Sequence, residues 1–530
     1  MNVLKKFLRA YLIFLFVVGH VVVGIGAYMA YDRLGKSPRQ IVTLGANKLK
    51  IINPALGNQI LALTKTSREK SLSQIKLPSL SEWRGPGAST NRKSWRPAYD
   101  AQGKPLSEAD FARGAKAAFI ATNYPKRIVT VASNKELINA IRKASPGDAI
   151  TIEPGTYYFK GHAIKVKKPG LPESPIVVRA KKLGTVILKF NLLEGFLVKA
   201  PFWVFENLRI EGICPSHSRC EHAFHVGGKG RSLVIRNNQI HDFNAQLKVN
   251  GGKRYIKDGK LFRDWPDYGL VEGNTVADSS VRATGNPVTK LNINGASSWV
   301  VRGNLIADFA KLYDNQISYA AFMKANSRNG VFENNAVICH MNVADSGGIR
   351  LGLSFGGGGT GQAYCRNQSC VTEHTGGVMR NNLILNCPKD VGIFLRRSKG
   401  TQIVNNTILN TAGVDVLFPT SSAYFANNII EGRIKNRFGG KSEAFNNIII
   451  GDGFFENRKI SDIFSDVINA DLKLLDKKSI VGQGTPIQDL GVDFCGNPRN
   501  LKSPDIGPLD QRGEKTCDVR DIWENNAVKN

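Results

Sequence analysis

The chain has 530 residues, of which 42% are hydrophobic and 22% are charged. These fractions are ordinary for folded proteins and exclude both a wholly disordered chain and a polytopic membrane protein. Lysine and arginine together number 72 against 43 aspartates and glutamates, so the formal net charge is +29 at pH 7. A surface this basic attracts polyanions, and composition alone does not choose among nucleic acid, anionic lipid and acidic polysaccharide.

The first 31 residues have the pattern of a membrane anchor. Lys5, Lys6 and Arg9 precede an uncharged apolar run, AYLIFLFVVGHVVVGIGAYMAY, that is long enough to cross a bilayer as a helix. A cleaved signal peptide has a shorter apolar core and small residues before the cut, where this chain has Tyr28. The basic flank favours a cytoplasmic N-terminus. We therefore predict an uncleaved single-pass anchor with the rest of the chain in the periplasm or outside the cell, and a cleaved signal peptide is the alternative.

Cysteine usage indicates the same orientation. An even number of cysteines with several short spacings is typical of disulfides formed in an oxidising compartment, and no CxxC spacing suggests a zinc site. The predicted local pairs, followed by the two cysteines left at similar places in successive repeats, are Cys214–Cys220, Cys365–Cys370, Cys495–Cys517, and Cys339 with Cys387. Buried free thiols are the alternative for some of them. Because a basic domain outside the cytoplasm meets polysaccharide and lipid more often than DNA, nucleic acid is not a predicted partner.

Residues 32–127 form a basic segment rich in glycine, proline, serine and arginine, which we interpret as a linker or arm. The sequence VTVASNKELINAIRKASPGDAITIEPGTYYF then predicts a strand, a helix, a turn and a second strand. Asn134 is the predicted helix cap, and Leu137, Ile138 and Ile141 are the predicted apolar face.

One phrase then recurs nine times: an apolar strand, one or two asparagines, and another apolar strand. A repeat of this kind in β-rich sequence predicts a parallel β-solenoid whose interior is filled by alternating apolar side chains. The asparagines would lie at the turns, where their amides can stack into a ladder and where the left-handed conformation is tolerated. The anchoring residues are Asn207, Asn238, Asn274, Asn304, Asn335, Asn382, Asn406, Asn428 and Asn447.

The pattern resembles the right-handed parallel β-helix superfamily over about residues 128–510. The segment Val131–Phe159 resembles the N-terminal cap of its polysaccharide-lyase-like members, which share the pectin lyase-like fold, and ADLKLLDKKSIVGQG…LGVDFCGNPRN…PDIGPLD resembles their closing coil. The predicted fold class is therefore all-β, a right-handed parallel β-helix with an N-terminal capping helix. The predicted regions are an anchor at 1–31, a linker at 32–127, the β-helix at 128–510 and a tail at 511–530.

The longest spacing, 47 residues between Asn335 and Asn382, contains GGIRLGLSFGGGGTGQAYCRNQSC. Loops that protrude from a rigid solenoid are common places for binding sites. Its glycines, Gly356–Gly359, permit either a close approach of backbone to a ligand or a hinge. A phosphate-binding loop is excluded because no GKS or GKT follows.

Basic residues also recur in register, before the asparagine strand of successive coils. Equivalent positions of a solenoid stack, so these residues would form a basic stripe suited to a long polyanion. The alternative is a solvated face of unrelated charges. The stripe consists of Lys248, Lys290, Lys324, Arg350 and either Arg396 or Arg397.

The segment FMKANSRNGVFENNAVI…GGIRLG resembles the catalytic segment of polysaccharide lyase family 6, which includes chondroitinase B and alginate lyases. The resemblance implies that Lys324 is a general base and Arg350 a general acid. Such a lyase removes the proton next to a uronate carboxylate and then expels the glycosidic oxygen. Neighbouring cations, Arg328 among them, would lower the pKa of the lysine.

The chain departs from that family at its calcium site. In the family, acidic residues shortly before the lysine hold calcium. Here the same stretch offers only Asp314, Asn315 and Gln316. This departure puts calcium in doubt, and no cofactor is predicted.

The histidines are predicted to be structural or to contact substrate. His222 and His225 have a spacing that suits metal ligands on a helix rather than in a β-rich loop. His340 and His374 flank the long insertion and are alternative proton carriers, and Glu373 could orient His374. The predicted substrate-binding residues are Lys248, Lys290, Arg328, His374, Arg396 and Arg397.

The sequence thus predicts a membrane-anchored protein that acts on acidic, uronate-containing polysaccharide by β-elimination. A non-catalytic module that holds or guides such a polymer during export or at the cell surface is the alternative, and a hydrolase or epimerase with an unfamiliar site is a third. Convergence of Lys324 and Arg350 in one groove would favour the lyase. A pair of carboxylates in the groove would favour the hydrolase.

Overall fold

The computed structural model describes residues 55–56, 125–258, 260–343, 347–387, 390–451, 459–466, 471–487, 490, 493–494, 499–500 and 502–510. The predicted anchor, nearly all of the linker, the tail and two cysteines, Cys495 and Cys517, lie outside these ranges. The chain divides into two compact units, Met1–Thr66 and Ser67–Asn530, and every element below belongs to the second. Among the described residues, no helix is both long and apolar enough to cross a membrane.

The predicted N-terminal helix is present as α1 (Asn134–Lys143). It is capped by Ser133, one residue before the predicted cap, whose hydroxyl accepts a backbone N–H of the first turn. Of the predicted apolar face, Leu137 and Ile141 are buried, whereas Ile138 is 42% exposed. The helix packs against the first four strands of the chain.

Three long parallel sheets make up the body of the molecule. The first sheet consists of β1 (Arg127–Val131), β2 (Asp148–Ile152), β5 (Ile176–Ala180), β8 (Trp203–Glu206), β11 (Val234–Arg236), β16 (Leu270–Glu272), β19 (Val300–Arg302), β23 (Val331–Glu333), β27 (Val378–Arg380), β31 (Thr401–Val404), β34 (Ser422–Ala426) and β37 (Lys441–Phe445). The second consists of β4 (Ile164–Val166), β7 (Glu194–Val198), β10 (His222–Gly227), β13 (Ala245–Asn250), β18 (Val288–Asn294), β21 (Ile317–Lys324), β25 (Ile349–Phe355), β29 (Ile393–Arg396), β33 (Gly413–Leu417) and β36 (Arg433–Arg437). The third consists of β3 (Gly155–Lys160), β6 (Val186–Asn191), β9 (Arg209–Gly212), β12 (Gln239–His241), β17 (Thr275–Ala277), β20 (Leu305–Ala307), β24 (Ala336–Ile338), β28 (Leu383–Cys387), β32 (Thr407–Thr411), β35 (Ile429–Glu431) and β38 (Ile448–Ile450).

The remaining strands are short. The antiparallel hairpin β14 (Arg254–Lys257) and β15 (Lys260–Arg263) and the pair β39 (Phe464–Asp466) and β40 (Asp471–Leu474) lie outside the parallel sheets. A small parallel sheet is formed by β22 (Ser327–Arg328), β26 (His374–Thr375) and β30 (Ser398–Lys399).

Each coil passes through the first, third and second sheets in turn, and each strand pairs in parallel with its equivalent one coil later. This arrangement is a parallel β-helix, as the repeat predicts. Alternate side chains enter the interior, where a continuous core of valine, isoleucine, leucine and phenylalanine runs along the stack. Phe196 and Phe224, for example, stack on successive coils with ring centroids 5.2 Å apart.

The predicted asparagine ladder lies between the first and third sheets and begins at Asn238. Asn335 shows the pattern: its amide nitrogen donates to the side-chain oxygen of Asn382 at 3.0 Å, and its own oxygen accepts from Asn304 at 2.9 Å. Asn207 does not belong to the ladder, because Leu208 occupies the ladder position in that coil. The rungs are Asn238, Asn274, Asn304, Asn335, Asn382, Asn406, Asn428 and Asn447.

The left-handed turn residue is the one before each rung, not the rung itself. Asn334, Asn381 and Asn405 all have φ of 54°. Asparagine tolerates this region better than other residues with a β-carbon, which explains the Asn-Asn pairs in the sequence.

Three disulfides are present among the described residues: Cys214–Cys220, Cys339–Cys387 and Cys365–Cys370. The first and third are predicted local pairs, and the second joins the two cysteines left over. The predicted Cys495–Cys517 pair lies outside the described residues.

Two insertions stand together beside the second sheet. One is the β14–β15 hairpin with its flanks, and the other is the long loop 356–373. Arg366 of the loop forms a bidentate ion pair with Asp267, at 2.7 and 2.9 Å, and Arg254 of the hairpin donates to the backbone carbonyl of Ala363. The backbone N–H of Arg366 also binds the carbonyl of Ala325, one residue after β21. These contacts fix the long loop over the carboxyl end of β21.

Candidate active site

The candidate site lies on the outer face of the second sheet. Leu247 and Val249 belong to the buried core, so the residue between them, Lys248, points outward. Parallel register continues this outward row from coil to coil. Its members are His225, Lys248, Asn292, Phe322, Ser354, Phe394, Asp415 and Lys435.

Lys324 belongs to a second outward row, two residues further along the strands. It is the last residue of β21, it follows the core residue Met323, and it pairs with Asn294 of the neighbouring strand. Its side chain is half-buried and its Nζ lies 4.4 Å from the centroid of the Phe322 ring. The Nζ donates a hydrogen bond to the carbonyl of Gly358 at 2.7 Å.

The electrostatics of the two outward lysines favour loss of a proton near neutral pH. Burial lowers the pKa of Lys324 to about 8; the carboxylate of Glu373 opposes this shift and the guanidinium of Arg396 adds to it. Burial also lowers the pKa of Lys248 to about 8, with a further contribution from the charge of Lys324. An amine with such a pKa is largely unprotonated at mildly alkaline pH and can accept a proton.

Neutral amides complete the floor between the two lysines. Asn292 accepts a hydrogen bond from Lys248 at 3.0 Å and another from the amide of Asn294 at 2.6 Å. The sequence pattern KLNING contains both asparagines, and strict alternation after Leu291 and Ile293 would have placed them on this face. We define the Lys324 site by its members Lys248, Asn292, Asn294, Lys324, Gly358, Glu373 and Arg396.

Arg350 is not in this site. It is the second residue of β25 and pairs with Ser318 near the start of β21, whereas Lys324 ends that strand. Six residues of extended strand separate the two levels by about 20 Å. Arg350 is buried, and its Nη1 lies 3.5 Å from the carbonyl of Cys339. The structure therefore does not bring Lys324 and Arg350 together.

Lys290 is also absent from the exposed surface. It is fully buried, with its Nζ 2.5 Å from Asp278 and 2.7 Å from the carbonyl of Phe243. Burial lowers its pKa to about 8, and the carboxylate of Asp278 opposes that shift. The lysine forms a buried ion pair instead of joining the predicted stripe.

His374 is fully buried and stacks on Phe355, with centroids 4.1 Å apart. Its Nε2 accepts the backbone N–H of Gly330 at 3.3 Å, so the proton sits on Nδ1, which donates to the hydroxyl of Ser327 at 2.7 Å. Burial lowers its pKa to about 3. A ring with both nitrogens occupied inside the core does not contact a substrate in this conformation, and Glu373 bonds Gly358 instead of orienting it.

The remaining predicted substrate-binding arginines are separated. Arg396 belongs to the Lys324 site, and its guanidinium lies 5.2 Å from the Phe418 ring. Arg397 has a left-handed backbone and lies 5.3 Å from the same ring. Arg328 is exposed in β22, beyond the turn that follows Lys324.

Aromatic side chains line the outer face next to the Lys324 site. Tyr319 and Phe322 meet edge to face at 5.4 Å, and Phe418 stacks on Phe438 at 5.6 Å. Phe394 is 7% exposed and Phe322 is 4% exposed, although both point away from the interior. The rings are therefore largely covered, and the cations of the site lie against them, Lys324 against Phe322 and Arg396 against Phe418.

Two further groups lie on this face: His225, which the sequence predicts to be structural or to contact substrate, and Asp390 with Asp415, which the sequence predictions missed. Toward the N-terminus, His225 is held by Glu194 at 2.5 Å and by Asn250 at 2.6 Å. Toward the C-terminus, burial and, second to it, the charge of Asp415 raise the pKa of Asp390 to about 7. Asp415 is in turn 3.2 Å from Arg437.

The stretch that the sequence analysis compared with the calcium ligands of family 6 lyases is occupied by internal contacts. Asp314 and Asn315 each lie 3.2 Å from the Nζ of Lys311. Within the part of the chain that the structure describes, no group of three or more histidine, cysteine or acidic side chains is arranged to hold a metal ion.

Comparison with known proteins gives a partial likeness to polysaccharide lyases. No family model matches the chain. It is 28% identical over 137 residues to pectate lyase L of Dickeya chrysanthemi, covering 22% of this chain and 29% of that enzyme, so the likeness spans less than a third of the relative.

Solved structures match the chain at lower identity. Pectate lyase Pel9A matches with a TM-score of 0.45 and 16% identity, covering 74% of this chain and 98% of that one. An alginate lyase from Paenibacillus sp. str. FPU-7 matches with a TM-score of 0.33 and 14% identity, over 60% and 98% of the two chains. The lyase Pedsa3628 of family PL6, from Pseudopedobacter saltans, matches with a TM-score of 0.32 and 14% identity, over 61% and 93%.

Proposed function

We propose that this β-helix binds an acidic polysaccharide along the outer face of its second sheet and cleaves it by β-elimination at Lys324. The observation that carries the proposal is the half-buried Lys324 amine with its lowered pKa, set between neutral amides and the Arg396 guanidinium. The partial likeness to a pectate lyase supports the same reaction class.

In the proposed reaction, the neutral Lys324 Nζ takes the proton from the carbon next to the uronate carboxylate. The electron pair of that C–H bond forms a carbon–carbon double bond, and the bond to the glycosidic oxygen breaks. The leaving oxygen takes a proton from water. The products are one new reducing end and one unsaturated uronate, and no water is added across the cleaved bond.

Arg396 and Lys248 are the proposed partners of the uronate carboxylate. Negative charge develops on that carboxylate as the proton leaves, and the fixed charge of Arg396 stabilises it more than it would in water, while Lys248 donates hydrogen bonds. Arg396 and Lys248 flank Lys324 from opposite sides of the stack, on β29 and β13. Arg350, predicted as the general acid, has no place in this step because it lies about 20 Å along the strand.

The test is direct. Purified full-length protein is incubated with alginate, polygalacturonate, dermatan and a glucuronate-containing polymer, and the ultraviolet absorbance of the unsaturated product is followed. Lys324→Ala should lower the rate by about 10²–10⁴-fold. Lys165→Ala is the matched control, because Lys165 is an exposed lysine of the same sheet near its N-terminal end. Equal rates in wild type and Lys324→Ala would refute the role of Lys324.

A non-catalytic polysaccharide-binding module is the second candidate. The separation of Lys324 from Arg350 favours it, since the two predicted catalytic residues do not meet. Salt-sensitive binding to a uronate polymer without any absorbance change would support this candidate. Release of reducing ends without absorbance would instead indicate hydrolysis, and Asp390 with Asp415 would then be the residues to substitute.

We further propose that residues 1–31 anchor the domain in a membrane, with the β-helix on the periplasmic or outer side. The three disulfides among the described residues support an oxidising compartment. Membrane fractionation combined with thiol labelling of intact cells tests both points. Recovery in the soluble cytoplasmic fraction with reduced cysteines would contradict them.

A further inference from the structure

Glu373 is a buried carboxylate that the proposed reaction does not use. Glu373 is only 3% exposed, and both of its carboxylate oxygens accept the backbone N–H of Gly358, at 3.1 and 2.9 Å. Burying a carboxylate is expensive unless it is bonded, so this contact is a strong constraint on the loop. The backbone of Glu373 is itself fixed, because its N–H donates to the carbonyl of Arg397 at 2.8 Å.

The same residue that Glu373 holds also holds Lys324. The carbonyl of Gly358 accepts the hydrogen bond from the Lys324 Nζ at 2.7 Å. Gly358 therefore receives Glu373 on its N–H side and Lys324 on its carbonyl side. The loop backbone also covers the lysine: a β-carbon at Gly357 would lie 3.5 Å from the Lys324 Cδ.

A side chain at position 358 would be strained and would displace the end of the Arg396 side chain. The φ of Gly358 is +73°, and a β-carbon there would lie 1.8 Å from the Nη1 of Arg396. The loop and Arg396 thus share the space above the lysine. The base of the loop is fixed on both sides, since Arg366 donates to Ala325 and Asn326 donates to the carbonyl of Thr372 at 3.0 Å.

We propose that Glu373 is a positioning residue for Lys324, acting both through its charge and through the Gly358 peptide unit that it holds in place. This inference rests on the proposed role of Lys324 as the base. With the Glu373–Gly358 contact formed, the lysine amine is directed to one carbonyl and its stem is covered. When the contact between Glu373 and Gly358 is broken, the amine loses that orientation and becomes more accessible.

The charges that face Lys324 come from three elements. Glu373 of the loop favours its protonated form, and Arg396 of β29 favours its neutral form. Lys248 of β13 interacts with it through like-charge repulsion. Removing the charge of Glu373 leaves only cations around the amine, so the pKa of Lys324 falls further.

The first test uses Glu373→Gln in the full-length protein, because glutamine can still accept the Gly358 N–H but carries no charge. The measurement is acetylation of Lys324 by acetic anhydride across pH, followed by mass spectrometry. In the wild type the midpoint should lie near pH 8. Glu373→Gln should lower the midpoint by about one pH unit. An unchanged midpoint would overturn the inference.

The second test separates the loop contact from backbone strain. Gly358→Ala and Gly359→Ala introduce the same strain, at φ of +73° and +72°, but a β-carbon at Gly359 meets nothing within 4 Å. Gly358→Ala should displace the loop from Arg396 and raise the acetylation rate of Lys324 about tenfold at fixed pH. Gly359→Ala should remain near the wild-type rate. Equal rates in the two variants would overturn the inference even if Glu373→Gln fails to fold.

The acetylation readout does not depend on catalysis. A wild type that makes no unsaturated product, combined with the acetylation shifts above, would reject the proposed lyase function and keep the positioning role of Glu373. An active wild type whose Glu373→Gln variant keeps the same pH dependence of kcat would keep the lyase function and reject the positioning role of Glu373. If both hold, the acidic limb of the kcat profile moves to lower pH in Glu373→Gln.

Discussion

Arg350 and Lys324 lie on adjacent strands of one sheet, but Arg350 pairs with Ser318 and is therefore about 20 Å along the strand from Lys324. Arg350 lies near the start of these two strands, and Lys324 lies at the end of β21. Lys324 meets the long loop, whereas Arg350 meets the backbone near the Cys339–Cys387 disulfide. The two residues therefore have different roles.

We expect Arg350 to stabilise the coil rather than to transfer a proton. Arg350→Ala would leave the Cys339 carbonyl without this partner in a buried setting, which should lower the free energy of unfolding by about 2–3 kcal/mol. The midpoint of the pH–rate profile should not change. Denaturant titration and a pH series of kcat/KM measure the two effects. A 100-fold loss of kcat with unchanged stability would show that Arg350 takes part in the chemistry.

The repeat could be predicted because its signal is local. Each coil from Asn238 onward carries its own asparagine, and the side-chain amide bonds the next coil at the same place, so the pattern survives large changes in coil length. Of the nine predicted anchoring asparagines, Asn207 is the one outside the ladder, because Leu208 fills the ladder position there. The sequence motif accepts one or two asparagines, so it does not show whether a single asparagine lies at the ladder position or at the turn position before it.

The site could be predicted only in part, because it depends on register and on what covers each strand. Lys324 is the eighth residue of β21, whereas Lys290 is the third residue of β18 and Arg350 the second of β25. Strands of different lengths therefore spread an apparent stripe along 20 Å or so of sheet. Lys290 is also buried, where it forms an ion pair with Asp278, just after β17. A short sequence motif predicts neither where a strand starts nor which segment covers it.

The rate of β-elimination should rise with pH around the pKa of Lys324. Only the unprotonated amine accepts a proton, and its pKa is about 8, so activity should increase between pH 7 and 9. Lys324→Arg should abolish this limb and reduce kcat at least about 100-fold, since arginine stays protonated throughout. Lys248→Met should keep the limb and raise KM. A limb that survives in Lys324→Arg would place the base elsewhere.

The asparagines in the middle of the ladder should contribute most to the free energy of unfolding. Asn335→Ala removes donation to Asn382 and to the Val301 carbonyl, and leaves Asn304 without its acceptor, all in a fully buried setting. We expect a loss of about 3 kcal/mol in the free energy of unfolding. Asn447→Ala, at the half-buried end of the ladder, should cost about 1 kcal/mol. Denaturant midpoints compare the two, and equal losses would mean that the ladder adds nothing beyond single hydrogen bonds.

The buried histidine should make the fold sensitive to acid. The pKa of His374 falls from its usual 6.5 to about 3 in the folded protein, because burial disfavours the imidazolium. The unfolded chain therefore binds more protons than the folded chain between these two values. Stability from this group is fully present above pH 6.5 and is lost as the pH falls toward 3, at up to about 1.4 kcal/mol per pH unit.

His374→Gln tests this loss directly. Glutamine can replace the contacts with Ser327 and Gly330 but does not titrate, so the variant should be less stable at pH 7 yet lose less stability on acidification. His162→Gln, at an exposed position, is the control and should keep the wild-type slope. The measurement is the free energy of unfolding at half-unit steps from pH 7 to 4.5. The same slope in wild type and His374→Gln would mean that the buried ring acquires its proton without unfolding, and that its cavity admits water.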